Sequence, residues 1–255
     1  MSTERRLPRS IVVEFCGLPG AGKTSLSSAV EQEWDGLVSR PTRRIAPDVP
    51  AGRRLSRKLG LVAAEATRRP LLEARVAHRI ARSEQPGAGE AAKRWVQWAS
   101  TQSLMSRARR APGVHVFDEG VLQALWSLAL RGDPAATLNT LTGSGGRWSA
   151  PDLVIVVDPP VELLVRRLRD RASEHSRLQR LADDEELRAE LVRGRSLLDR
   201  LVVWWDETSR IEGSVARIRG ERHDAAAAIA AAIHRVGAEP SAFSSEGRGT
   251  SAGRS

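Results

Sequence analysis

Near the N-terminus, Gly17 to Ser25 reads GLPGAGKTS and follows the apolar, β-branched run IVVEFC, Ile11 to Cys16. Closely spaced glycines let a backbone turn tightly and bring its N–H groups onto an anion. Gly17, Gly22, Lys23 and Thr24 fill the pattern G-x-x-x-x-G-K-[ST], which carries meaning only between a strand and a helix. Both flanks are present, because KTSLSSAVEQEW, Lys23 to Trp34, has a helical pattern. The positive end of that helix points at the same anion. A chain organised around this feature sets a strand end and a helix start against a nucleotide polyphosphate. Lys23 would reach the β- and γ-phosphates and Thr24 would ligate Mg²⁺, while Leu18, Pro19, Gly20, Ala21 and Ser25 complete the cradle.

The rest of the chain alternates strands with helices. A short strand is expected at Leu37 to Ser39, within GLVSRPTRRIAPDVPAGRR (Gly36 to Arg54), a stretch rich in turn formers and arginine. Helices follow: PLLEARVAHRIAR with an apolar stripe at Leu72, Val76 and Ile80, and a longer one at about Glu90 to Arg110 after the breaker QPGAG. Trp95 and Trp98 on the latter read as packing residues. GVHVFDEG is a strand ending in acids, and VLQALWSLAL is the helix after it. PDLVIVVDPP is the clearest strand, followed by the charged helix VELLVRRLRDRA. A helix at about Asp184 to Trp205, a strand VARIRG and a helix DAAAAIAAAIHRV complete the order. The reading is one α/β domain over 11–236, a three-layer, doubly wound parallel sheet of the phosphate-loop NTPase type. Residues 1–10 form an N-terminal arm, and the small, polar tail 237–255 is expected to be disordered.

The chain carries a net +9, and 37 of its 40 basic residues are arginine. The excess is local: Gly36 to Arg110 holds 17 basic residues against five acidic ones. A positive field confined to one segment calls for an anionic partner at that place. Zinc spacing, an RNA-binding aromatic signature and a helix-turn-helix cue are all missing, so nucleic acid is not the expected partner. The only cysteine, Cys16, cannot form an internal disulfide and reads as a packed core residue. With no apolar run of membrane-spanning length and no secretion signal in MSTERRLPRS, the chain is read as cytoplasmic, with no membrane partner.

Ligands of open parallel sheets bind at the carboxyl ends of the strands. That rule aligns the phosphate loop, Asp118–Glu119 and Asp158 along one edge. Asp118, ending an apolar strand, suits Mg²⁺, with a cap for the following helix as the plainer role. Glu119 is the candidate base or water-positioning acid.

The stretch VVDPPVELLVRRLRDRASEHSRLQRL resembles the phosphate-loop kinases of the thymidylate kinase and deoxynucleoside kinase group. These follow a strand and a proline pair with a helix bearing R-L-x-x-R, then a lid with another arginine. The matching residues are Arg167, Arg171 and Arg177, within a lid over 166–182, and Arg167 and Arg171 share a helix face at i, i+4. The plainer reading of this helix is a solvated arginine-rich face. Arg40-Pro41-Thr42 echoes a motif after the second strand of thymidylate kinases. The resemblance thus implies that Arg40, with Arg43 and Arg44, contacts an acceptor phosphate, and that 36–110 is a helical acceptor region. It also implies ATP and Mg²⁺ as cofactors and a small phosphoryl acceptor, a nucleoside monophosphate by charge. A hydroxyl acceptor such as a nucleoside, sugar or antibiotic is the near variant, and a phosphate-loop ATPase gripping nucleic acid or a protein is the alternative of another class. A homodimer is left open.

Overall fold

The computed structural model describes residues 10–34, 38–42, 49–130, 132, 149–170, 181, 183–208, 215–218 and 230–231. The expected arm and tail fall outside these, apart from Ser10, which opens the first strand. So do Arg43, Arg44, Arg171, Arg177 and nearly all of the alanine-rich helix.

Among the described residues, five parallel strands form one sheet in the order β2-β3-β1-β4-β5. They are β1 (Ser10–Gly17), β2 (Val38–Ser39), β3 (Gly113–Phe117), β4 (Leu153–Val157) and β5 (Val215–Ile218). Strands buried on both faces read as continuous apolar runs, and LVIVV of β4 is buried throughout. The helices among the described residues are α1 (Lys23–Glu33), α2 (Ala51–Arg68), α3 (Pro70–Ala81), α4 (Ala88–Ala108), α5 (Val121–Ala129), α6 (Val161–Arg169) and α7 (Asp184–Thr208). Sequence periodicity located most of these within a few residues. One helix was not singled out: α2 fills the stretch before PLLEARVAHRIAR and begins at Ala51, inside the segment read as irregular up to Arg54, because Pro50 supplies the non-helical residue before it.

The winding places the site. From central β1 the chain crosses over β3 to reach β2, whereas from β3 it crosses over β1 to reach β4. Right-handed crossovers in opposite directions put their helices on opposite faces. The α1 face therefore takes Ile11, Val13 and Phe15 of β1, and the α5 face takes Val12, Glu14 and Cys16. α4 packs on α5, α5 on α7, and α2 and α3 on α4. Because β1 and β3 are neighbours in register, Glu14 opposite Phe117, the loops after them leave the same sheet edge side by side. No described helix is long and apolar enough to cross a membrane.

Candidate active site

The loop after β1 is built as its glycines require. Gly17 ends the strand where an added Cβ would lie 2.6 Å from the Val157 carbonyl oxygen, so only glycine lets β1 run this close to β4. Gly20 and Gly22 have φ of 82° and 99°, the left-handed conformation from which a nest of N–H groups is made. Gly22 caps α1, whose first turn carries no acid to compete for an anion. Lys23 sits on that turn, and its Nζ donates to the carbonyls of Gly17 at 2.6 Å and Leu18 at 3.3 Å, so the ammonium lies over the loop. Thr24 and Ser25 are exposed beside it, while Leu18 and Ala21 are buried anchors.

Two helices brace the loop. On α6, Leu168 would meet a Cβ at Gly20 at 3.3 Å, and Arg167 Nη1 donates to the carbonyls of Ala21 at 3.2 Å and Gly20 at 3.4 Å. On α7, Gly194 lets the helix approach Leu18 and Trp126, and Trp126 Nε1 donates to the Gly194 carbonyl at 2.8 Å.

The acid at the end of β3 faces a basic partner from the end of β2. Arg40 Nη2 donates to Asp118 Oδ2 at 2.5 Å, while Arg40 Nη1 reaches Ser28 Oγ at 2.8 Å and Glu31 Oε2 at 3.5 Å. Asp118 Oδ1 is buried with no hydrogen-bond partner among the described residues. The cap expected of Asp118 is not made: α5 has no side-chain cap from its N-terminal residue, and its first N–H groups turn instead to Glu14 on β1. Glu119 is exposed. Lys58 of α2 is close enough for Glu119 to raise its pKa, although partial burial, the larger effect, holds that ammonium below its ordinary value.

Asp158 lies at the same edge but is taken up elsewhere. It forms ion pairs with Arg195 at 2.8 Å and Arg217 at 3.5 Å, which fasten α7 and β5 to the end of β4. The sheet edge therefore brings together the loop, Asp118, Arg40 and Arg167, and assigns Asp158 to structure.

Sequence reasoning passed over four residues that stand at this site. Arg54 and Lys58 are the two residues of the first ten in α2 that are half-buried rather than exposed. Spaced i, i+4, they continue the inward face of Leu61, Val62 and Glu65 beyond the core. The others are Glu14 and Gln123, both buried, which join β1 to α5. A glutamate within an apolar strand was the visible signal for the first of that pair.

The residues present fit a nucleotide polyphosphate and its cation. The left-handed glycines, the open Thr24 hydroxyl and the orphaned Asp118 oxygen are the donors and acceptors that such a group needs. No cluster of three or more His, Cys, Asp or Glu ligands occurs among the described residues. The arrangement suits Mg²⁺, which takes one or two protein oxygens and completes its shell with phosphate and water.

No protein-family model matches the chain, and no curated protein does. Solved structures do. Deoxyadenosine kinase from M. mycoides, with the products dCMP and a flexible dCDP bound, aligns over 88% of this chain and 100% of its own, at 11% identity and a TM-score of 0.51. Thymidylate kinase from Candida albicans aligns over 89% of this chain and 92% of its own, at 11% identity and a TM-score of 0.52. The chain has the α/β fold of the phosphate-loop kinases of the nucleoside and nucleotide kinase group.

Proposed function

We propose that the protein is a phosphotransferase that moves the γ-phosphoryl group of ATP, with Mg²⁺, to a small anionic acceptor, for which a nucleoside monophosphate is the best fit. The observation that carries this reading is the convergence of the glycine loop, Lys23, Asp118 and Arg167 at adjacent strand ends of a kinase fold. In it, the loop N–H groups and Lys23 bind and orient the polyphosphate. Thr24 and Asp118 would hold Mg²⁺, which offsets phosphate charge. Arg167, already on the loop, supplies planar donors for the charge that spreads over the transferred group. Arg171 and Arg177 follow Arg167 in sequence and would join it from the lid.

Support for an anionic acceptor comes from α2, where Arg54 and Lys58 line the inward face on the side of Glu119. Arg40 fits a different role from contact with the acceptor, because its guanidinium is engaged by Asp118, Ser28 and Glu31. In this reading it orients Asp118, and Arg43 and Arg44 remain the acceptor candidates on that segment.

A second reading has one observation in its favour. Glu119 is exposed next to Asp118, where a base would be needed if the acceptor were a hydroxyl.

Calorimetric titration with ATP in Mg²⁺ tests the nucleotide site. Wild type should bind, and Lys23→Ala should keep its melting temperature while losing at least roughly tenfold in affinity, the scale of a lost charge-assisted contact. Unchanged binding by the folded variant would overturn the reading.

A further inference from the structure

Glu14 occupies a position where a strand covered on both faces calls for an apolar residue. It is fully buried in the central strand, opposite Phe117 of β3 and Val154 of β4. An ionised carboxylate taken out of water costs several kcal/mol unless it is paired. Among the described residues the partners of Glu14 are backbone N–H groups rather than a cation. Oε1 accepts from the Gln123 N–H at 2.8 Å, Oε2 is buried with no hydrogen-bond partner among the described residues, and the N–H groups of Gly120, Val121 and Leu122 act electrostatically on the same carboxylate. These groups start α5, where a helix leaves its N–H donors unsatisfied and presents its positive end. The fit leaves no room for another residue at Gly120, since a Cβ there would lie 2.3 Å from the Glu14 carboxyl carbon.

The helix returns the contact. Gln123 Oε1 accepts from the Gly17 N–H at 3.2 Å and lies 3.8 Å from Cys16 Sγ. One tie therefore runs from β1 to the start of α5, and the other from α5 to the first residue of the phosphate loop. Asp118 sits on the short turn between β3 and α5, two residues before Gly120. With an apolar residue at position 14, a serine in place of Gly120 would cap α5 without a buried charge. Spending stability on such a group is a mark of functional sites.

We propose that Glu14 is a positioning residue of the site, whose carboxylate, held by the N-terminus of α5, fixes the Asp118 turn and the Gly17 N–H in register with one another. It touches no substrate and acts through α5 and Gln123. The inference rests on the nucleotide-binding reading above. The other titratable groups near it are Cys16, on the same strand face, where burial pushes the thiol well up, and Lys23, whose charge acts on that thiol. β3 and β4 set Phe117 and Val154 in register with Glu14, and His115, two residues before Phe117, shares that face of β3.

The test is calorimetric titration of ATP with Mg²⁺, together with thermal melting at pH 8, on the full chain. Glu14→Gln should weaken ATP·Mg²⁺ binding about tenfold, the loss of roughly one charge-assisted interaction, while its melting temperature equals or exceeds that of wild type. Val202→Ala, a core truncation in α7, should lower the melting temperature and leave affinity within about twofold. Gln123→Met, which cuts the return tie and leaves Glu14 intact, should share the affinity loss and serves if Glu14→Gln does not fold. Wild-type affinity in Glu14→Gln or Gln123→Met, or a loss that merely tracks melting temperature as in any core variant, would overturn the proposal alone. A wild type that binds no ATP would overturn the nucleotide reading, and this inference with it.

Discussion

Arg40 Nη2 lies 2.5 Å from Asp118 Oδ2, joining the ends of β2 and β3 through side chains that are 9% and 17% exposed. Removing one member of so secluded a pair strands the other charge, which costs about 3–5 kcal/mol when burial is complete. Arg40→Ala should therefore destabilise the fold by about 2 kcal/mol or more, and Asp118→Asn in the same chain should return part of that loss. A double-mutant cycle by denaturant unfolding checks this, with an expected coupling of about 0.5–3 kcal/mol. Additive effects would mean that the two residues act separately.

The buried Glu14 makes stability depend on pH. Its pKa rises from 4.5 to about 7, first through burial, with the α5 N–H groups pulling it partly back. A carboxyl group with a raised folded pKa binds its proton more tightly in the native state. Its contribution is thus full below about pH 4.5 and lost as pH climbs through about 7. The difference in unfolding free energy between wild type and Glu14→Gln should shift by roughly 3 kcal/mol between pH 4 and pH 8, at about 1.4 kcal/mol per unit. The variant gains relative to wild type as pH rises. Parallel profiles for the two proteins would contradict the assignment.

Arg167 should matter to rate more than to fold. Its contacts to the Gly20 and Ala21 carbonyls place the guanidinium on the loop. Donors that act on charge developed in the transition state lower kcat more than they alter ATP binding. Arg167→Ala should cost at least roughly 10²-fold in kcat, and lysine should recover only part of it. Arg166, exposed on the same helix, is the comparison that should tolerate alanine. Arg169 is no neutral control, because it pairs with Asp184 at 2.8 Å and donates to the Leu181 carbonyl at 2.7 Å. Equal, small effects at Arg166 and Arg167 would make α6 a solvated face.

Glu119 distinguishes the acceptor classes. A phosphate acceptor at neutral pH is already ionised, whereas a hydroxyl needs a base that typically contributes about 10²–10⁴-fold. Glu119→Gln should change kcat little if the acceptor is a monophosphate. A large fall in kcat with unchanged ATP·Mg²⁺ affinity would favour the hydroxyl variant.

How much of this was legible in the sequence follows from the range of the interactions. The loop glycines, Lys23 and Thr24 act within nine residues, and local spacing exposes them. β4 was legible too, because a strand buried on both faces needs an unbroken apolar run. Arg40 and Asp118 are 78 residues apart, and their pairing depends on β2 lying beside β3, which periodicity does not encode. The charge of Glu14 was visible, but its partner on α5 follows only from the winding that sets that helix against β1. Asp158 shows the opposite limit: a carboxylate at the right sheet edge is taken by Arg195 and Arg217, two arginines distant in sequence. Arg54 and Lys58 were hidden in a dense run of basic residues until burial separated the inward pair from the exposed rest.

Acceptor-dependent ADP release tests phosphoryl transfer most directly. The full chain is incubated with ATP, Mg²⁺ and, one at a time, nucleoside monophosphates, nucleosides and sugars, with Lys23→Ala as the blank. The account predicts release that rises well above background with at least one anionic acceptor, strongest among the monophosphates, and falls to background in Lys23→Ala. ATP turnover unaffected by every acceptor, or equal in wild type and Lys23→Ala, would contradict it.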